Sequence, residues 1–526
     1  MPESERSPTN GPLATLLRGH SLPWAIALLT HLPGLRGGFV LDDVRAITTH
    51  PGVNGHGPLA LVFSRTFWGE ALGTPPASWR PLTTLTFALD VRLFGLAPGP
   101  MHVTSLGWFL ALLTVAHSFA RAHLPAQAAL VAACLFAAMP LHVENVASLV
   151  GRADVLALLF GLIALRTRPT LPGLAITAVA TAAALLSKES ALCLVAVAAV
   201  LSLTPPHGET PRDGRRRTFV MILVVGLYLA ARLLTSGTIV RWFTPDDVLA
   251  GAAPWQRVVY AVEYLARATR LLVAPFDLCT GRKYAMLWRP ATALTLPFAA
   301  GLGLLAIGFW SSRRALRASR PAWALCVGAT GAMFTGLAWK VPEAMADRFF
   351  LTPTWFAALA LAPPLLAWWQ SGGARRALVA VLVGVHVAAG AYLSTRWRDD
   401  PTLYAHAVAA CPASAHNHYR YAGLLEHRGE FDESAWHAAL AYEAIRRFPN
   451  AWEHPALEAE ETLPPNERVR RLHELLRIDR PERAWRNAVA GYARRNEMPM
   501  AAARIMVGFA PPPGPTNSGG GGLRRE

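Results

Sequence analysis

The chain has 526 residues, of which 53% are hydrophobic and only 16% charged, and its formal net charge is +16. Soluble domains carry roughly 25% charged residues, so this composition argues against a chain built only of soluble domains. It also gives no support for nucleic-acid binding: there is no recognition-helix motif or basic–aromatic sheet pattern, and basic residues that orient membrane spans account for the surplus charge.

Residues 1–21 form a polar N-terminal segment, read as cytoplasmic. The first apolar run, Leu22 to Leu32, has no small-residue cleavage site and reads as an uncleaved span. Apolar runs of bilayer-crossing length then recur at residues 22–37, 101–121, 125–142, 153–167, 170–187, 190–204, 218–235, 291–311, 321–340, 350–369 and 377–395, about eleven in all. The even loops carry Arg121, Arg166 with Arg168, Arg212 with Arg215 to Arg217, Arg313 to Arg320, and Arg375 with Arg376. The basic-residue rule puts these in the cytoplasm. The odd loops, including the long ones at residues 38–100 and 236–290, and the C-terminal part then lie on the extracytoplasmic side, periplasm or lumen. Within the long loops, Pro58 to Phe63 and Trp255 to Tyr264 are amphipathic and suited to lie along the interface.

Charges become frequent after residue 395, where an all-α soluble segment (residues 396–510) is expected, followed by a Pro/Gly-rich disordered tail at residues 511–526. Asp400 to Cys411, His416 to Arg428 and Phe431 to Arg447 are helix-sized, with a tight turn at Gly429 to Phe431. The last two helices and that turn resemble one tetratricopeptide (TPR) repeat. Tyr421-Ala422 stand where Leu-Gly is usual, and a lone repeat needs neighbours to cover its face. The five cysteines, Cys134, Cys193, Cys279, Cys326 and Cys411, include no Cys-x-x-Cys pair, so a zinc or redox motif is not indicated.

The polar clusters fall on the outer side. Asp42 and Asp43 follow the first span directly; a carboxylate beside hydrocarbon gains proton affinity and can serve as general base toward a hydroxyl. Arg80, in Trp79-Arg-Pro-Leu82, offers a planar fork for phosphate, although, taken locally, an interfacial Trp with a snorkelling Arg is the favoured reading. His142-Val-Glu144 and Gly151-Arg-Ala-Asp154 bracket one short outer loop. His142, Glu144 and Asp154 suit sugar orientation, and Arg152 is either a phosphate contact or an ion pair with Asp154. A metal held by His142 and Glu144 with Asp42 or Asp43 is the weaker reading, because an i, i+2 pair is a weak ligand signal; no cofactor is called for. Lys188-Glu189 interrupts a nearly continuous apolar stretch, and Glu343 with Arg348 occupies a further outer turn. Arg80, Lys188, Arg348 and Arg152 would hold a lipid-linked phosphate while a carboxylate activates an acceptor.

These motifs in this order, Phe39-Val-Leu-Asp-Asp43, Trp79-Arg-Pro-Leu-Thr83, Pro140-Leu-His-Val-Glu144 with Gly151-Arg-Ala-Asp154, Leu186-Ser-Lys-Glu189 and Ala346-Asp-Arg-Phe-Phe-Leu-Thr-Pro353, resemble the TMTC family of transmembrane and tetratricopeptide repeat-containing O-mannosyltransferases, of the GT-C membrane glycosyltransferase class. The resemblance runs from about residue 38 to about residue 450. It implies a GT-C helix bundle over residues 22–395 and a polyprenyl-phosphate sugar donor, with dolichyl-phosphate mannose used by the eukaryotic members. It further implies inverting transfer to Ser or Thr of an acceptor protein that the TPR-like segment could hold. The first-loop acidic pair becomes catalytic, Asp42 ahead of Asp43. Two rival classes are a lipid or solute transporter or flippase, which predicts mid-span charges and inverted repeats, and a non-catalytic scaffold, which predicts dispensable outer carboxylates.

Overall fold

The computed structural model describes residues 12–74, 78–206, 208–237, 253–275, 278–281, 295–335, 337, 345–412 and 414–430, with scattered positions to 441. Glu343, the second TPR-like helix beyond those positions, residues 464–510 and the tail lie outside the described residues.

Among the described residues the chain is helical, with no strand and one isolated bridge between Arg65 and Ala71. The helices are α1 Pro12–His31, α2 Pro81–Phe94, α3 Pro98–His123, α4 Ala126–Ala138, α5 Arg152–Arg166, α6 Leu171–Ser187, α7 Cys193–Ser202, α8 Pro211–Ser236, α9 Pro254–Val273, α10 Leu296–Arg317, α11 Trp323–Gly331, α12 Leu351–Gln370, α13 Gly373–Arg396, α14 Asp400–Ala410 and α15 Ala415–His427. Each apolar segment of the sequence falls on one of them. Their starts are written locally. Thr170, Thr210, Thr295, Asp399 and Ser414 accept the backbone N–H three residues on. Prolines occupy the first turn of α2, α3, α6, α8, α9, α10 and α14, where the missing N–H costs nothing.

By length and composition, α3, α8, α12 with the turn before it, and α13 are able to cross a bilayer. A fifth crossing results if α4 and Pro140–Ala147, bent by 55°, are one broken span. The apolar helices at Leu171–Ser187, Glu189–Ser202 and Trp323–Phe334 are shorter. The protein is thus a membrane protein, and among the described residues its long apolar helices are fewer than the eleven apolar segments of its sequence.

In lipid, helix association depends on close packing rather than exclusion of water, and small residues serve it. Buried Ala129, Ala132, Ala133 and Ala137 let α4 sit against α1, α3 and α12. Phe109, Phe136, Trp355 and Phe356 fill the centre of this group. In the first long loop, α2 was not foreseen. It packs on α3 and α6 and brings Asp90 into the fold.

The segment after the last apolar helix is fastened to both long loops. Cys411 at the end of α14 forms a disulfide with Cys279, Ser414 Oγ donates to the Gly281 carbonyl, and the His406 Nε2 lies 3.0 Å from the Leu278 carbonyl. Cys134, Cys193 and Cys326 are free. Thiol titration of the denatured, unreduced protein is expected to find these three reactive thiols, rising to five after reduction; five before reduction would contradict the bridge.

Candidate active site

The acidic pair sits in a loop held from two sides. Leu41 adopts φ 52°, one of two left-handed non-glycine residues among those described. For a residue with a Cβ this costs roughly 1–2 kcal/mol. Its N–H donates to Asp400 Oδ1 at 2.9 Å, and Gly38 N–H donates to the Arg398 carbonyl at 2.8 Å. The two carboxylates that follow have different surroundings. Asp43 is fully buried: Oδ1 accepts Val150 N–H at 2.9 Å and lies 3.5 Å from the Ser148 hydroxyl, and Oδ2 accepts Val40 N–H at 3.3 Å. Burial pushes its carboxyl up to about 7, opposed by the N–H groups of Val150, Val40 and Leu149, with the neighbouring Asp42 charge adding to the rise. Asp42 is partly exposed and has no hydrogen bond or ion pair among the described residues.

The turn that receives Asp43 is the one that carries the next motifs. Pro140–His142, Val143–Ala147 and Leu149–Gly151 are short helical turns leading into α5. Gly151 is required here: a Cβ would lie 2.6 Å from the Asn145 Cα and from the Glu144 carbonyl oxygen. From this turn the polar side chains diverge. Glu144 points to Arg348, which bonds its carboxylate through the side chain and donates its N–H at 3.0 Å; Asn145 Nδ2 donates to the Arg348 carbonyl. Asp154 accepts both of its bonds, 2.7 and 2.6 Å, from Lys188 Nζ. Arg80, at the start of α2, forms a two-pronged pair with Glu189 at 3.0 and 2.7 Å and lies over the Phe67 ring.

Arg80, Lys188 and Arg348 act on one another electrostatically, so the structure brings three of the four expected phosphate cations into one field. Burial works against the Arg80 charge and Glu189 more than offsets it, holding the guanidinium above its ordinary range. Burial lowers Lys188 against the pull of Asp154, and Arg80 and Arg348 add to the lowering. Burial alone would raise Glu189, but Arg80 and Arg232 hold it well below the usual carboxylate range. The side chains of Glu189, Arg348 and Arg80 remain 31%, 21% and 13% exposed, whereas Lys188 and Asp154 are buried.

Two expected site residues are built into the fold instead. Arg152 is fully buried, paired with Asp90 at 2.6 Å and bonded to Ser105, Thr104, Thr86 and the Met101 carbonyl; its partner is not the expected Asp154. An arginine so saturated has no donor left to face a phosphate. His142 is fully buried at the bend after α4, with Nε2 2.8 Å from the Thr354 hydroxyl and its ring against Phe136. Sequence reading missed Asp90 and Asp400 and noted Arg232 only as the main charge inside an apolar span, without placing it at the site. Asp90 is hidden in an apolar-looking stretch. Arg232 reaches the Glu189 field from α8 and donates to the Tyr228 hydroxyl, whose ring stacks on Trp79; a cation inside an apolar span was the available signal. Asp400 had a signal too, since Asp399-Asp400 after the last span repeat the pattern of Asp42-Asp43 after the first.

A separate cleft of about 540 Å³ lies between the C-terminal end of α13 and helices α14 and α15, lined by Tyr392, Arg396, Arg398, His406, Tyr421 and Arg428 among others; it includes none of the residues above.

No family model matches the chain. It is 24% identical over 458 residues to "Protein O-mannosyl-transferase F38B6.6" of Caenorhabditis elegans, covering 82% of this chain and 64% of that protein. Over 198 residues it is 34% identical to "Protein O-mannosyl-transferase Tmtc1" of Drosophila melanogaster, covering 36% of this chain and 23% of that one. The chain is similar in sequence to these TMTC-type proteins. It spans less than two thirds of the length of these relatives. Among solved structures, the archaeal oligosaccharyltransferase AglB from Archaeoglobus fulgidus aligns with this chain at a TM-score of 0.42 and 14% identity, over 73% of this chain and 56% of that one.

Proposed function

We propose that the chain is an inverting membrane glycosyltransferase of GT-C type, moving a sugar, mannose in the first instance, from a polyprenyl-phosphate donor to a Ser or Thr hydroxyl of a protein on the extracytoplasmic side. The observation that carries this reading is the pair of unlike aspartates: Asp43 fixes the loop, and Asp42 is left partly exposed with no partner among the described residues, beside the turn that leads to the cation cluster. In the reaction, Asp42 takes the proton of the acceptor hydroxyl. The oxygen attacks the anomeric carbon from the face opposite the phosphate, and the carbon–oxygen bond to phosphate breaks with its electron pair staying on the phosphate. Arg80 and Arg348, the more exposed cations, then face the departing charge, with Lys188 behind them and Arg232 close by. A cation field fixed before the reaction stabilises a leaving anion without reorganising. Arg80 Nη1 makes no hydrogen bond among the described residues while Nε and Nη2 hold Glu189, so it has a donor to offer. Glu189, Glu144 and Asp154 orient these cations, and through them the sugar.

Orientation is supported by the disulfide. Such bridges persist in oxidising compartments, and Cys279–Cys411 joins the second long outer loop to the segment that touches the Asp42 loop. The test is direct: purified protein is incubated with radiolabelled mannosyl phosphates of dolichol and undecaprenol and a mixture of Ser/Thr peptides. Label passing from lipid to peptide is the expected result; loss of no label from either lipid would defeat the reading.

A further inference from the structure

We infer that Asp400, the first residue of α14, is a positioning residue for the catalytic loop: its carboxylate holds the Leu41 N–H and so fixes the backbone turn that aims Asp42. This rests on the reading of Asp42 as the base.

Residues 397–400 run alongside residues 37–41. Gly38 N–H donates to the Arg398 carbonyl, Leu41 N–H donates to Asp400, and a Cβ on Gly37 would lie 3.1 Å from the Trp397 carbonyl oxygen. Leu41 directly precedes Asp42, and its left-handed φ of 52° is one that a side-chain-bearing residue leaves unless it is held. Asp400 is free for this task because the neighbouring Asp399 caps α14, accepting Thr402 N–H at 2.8 Å. At its far end α14 is anchored by the Cys279–Cys411 bridge and by the contact of His406 with Leu278, so the carboxylate is delivered from a braced helix. A soluble segment that follows all the apolar helices thereby completes a loop formed after the first of them.

The test compares Asp400→Ala and Asp400→Asn in the full-length protein. Asparagine keeps an oxygen that accepts the Leu41 N–H; alanine does not. Losing a hydrogen bond to a charged group is expected to lower kcat by about 10-fold or more in Asp400→Ala. The donor KM and the thiol count of three should stay unchanged, and Asp400→Asn should remain within about 3-fold of the parent. Hydrogen exchange of the peptide covering residues 38–45 should quicken in Asp400→Ala and not in Asp400→Asn. Parental kcat in Asp400→Ala, equal impairment of both variants, or unchanged exchange would each overturn the inference. Should the parent itself transfer no sugar, the proposed function fails, while the exchange measurement still decides whether Asp400 holds the loop.

Discussion

Asp42→Asn is expected to lower sugar transfer by about 10²- to 10⁴-fold, the range that a general base contributes, with insertion and melting temperature unchanged. Asp43 has the proton affinity often associated with a base, its carboxyl raised to about 7 chiefly by burial. Geometry nevertheless assigns it elsewhere: it is fully enclosed, and both oxygens accept bonds from Val40 and Val150. A base must reach the proton it removes, and of the two only Asp42 has exposed surface. Asp43→Asn should therefore leave a smaller kinetic defect but change the pH dependence of stability. The folded-state value of Asp43 is raised above the ordinary 3.8. Its contribution is thus fully present below about pH 4 and is lost as the pH rises through about 7. The neutral Asn variant escapes that loss but gives up one of the two N–H acceptors, so its melting temperature relative to the parent should be lowest near pH 4 and should improve as the pH rises to 8. Transfer that survives Asp42→Asn but disappears in Asp43→Asn would exchange the two roles.

Arg152→Ala is expected to fail by a different route. The substitution leaves the Asp90 carboxylate without its counter-charge and strips bonds from Ser105, Thr104 and the Met101 carbonyl. Breaking one side of a buried pair costs about 3–5 kcal/mol, a large part of a stability that is commonly about 5–15 kcal/mol. The variant should accumulate poorly and melt early in detergent. A double variant, Asp90→Leu with Arg152→Met, leaves no isolated charge and should recover much of the loss. Arg348→Ala provides the contrast. Its side chain is 21% exposed, and removing it together with the charge of its buried partner, in Arg348→Ala with Glu144→Gln, should leave the fold largely intact while weakening donor binding, read as a raised KM for the lipid-linked sugar. An Arg152→Ala protein that folds normally and merely binds donor weakly would restore Arg152 to the phosphate site.

The helices were legible in the sequence because their signals are local. Apolar runs, Pro in the first turn and Thr or Ser caps mark each one without knowledge of its neighbours, and the apolar segments fall on α1, α3 to α8 and α10 to α13. Helix α2 was lost among the loop residues because fourteen residues with one buried acid resemble neither a span nor a surface helix. Site residues could be named by motif, but their partners could not. Arg152 looked like the partner of nearby Asp154 and instead pairs with Asp90, while Asp154 goes to Lys188. Such choices depend on which helix faces arrive together, a long-range property that no spacing encodes. Likewise, the distinction between Asp42 and Asp43 comes from backbone N–H groups at residue 150. Adjacent identical side chains carry no hint of it.

The contact of residues 37–41 with residues 397–400 also sets an order of biogenesis. The ribosome must make the first loop long before it makes α14, so during synthesis the early loop has no Asp400 to grip and Cys279 has no Cys411 to meet. A nascent chain, or a product truncated near residue 395, therefore holds its apolar helices before the contacts that fix residues 37–41 exist. On the proposed reading, the loop that carries the base is set only once the final segment has been made, so an unfinished copy should transfer no sugar.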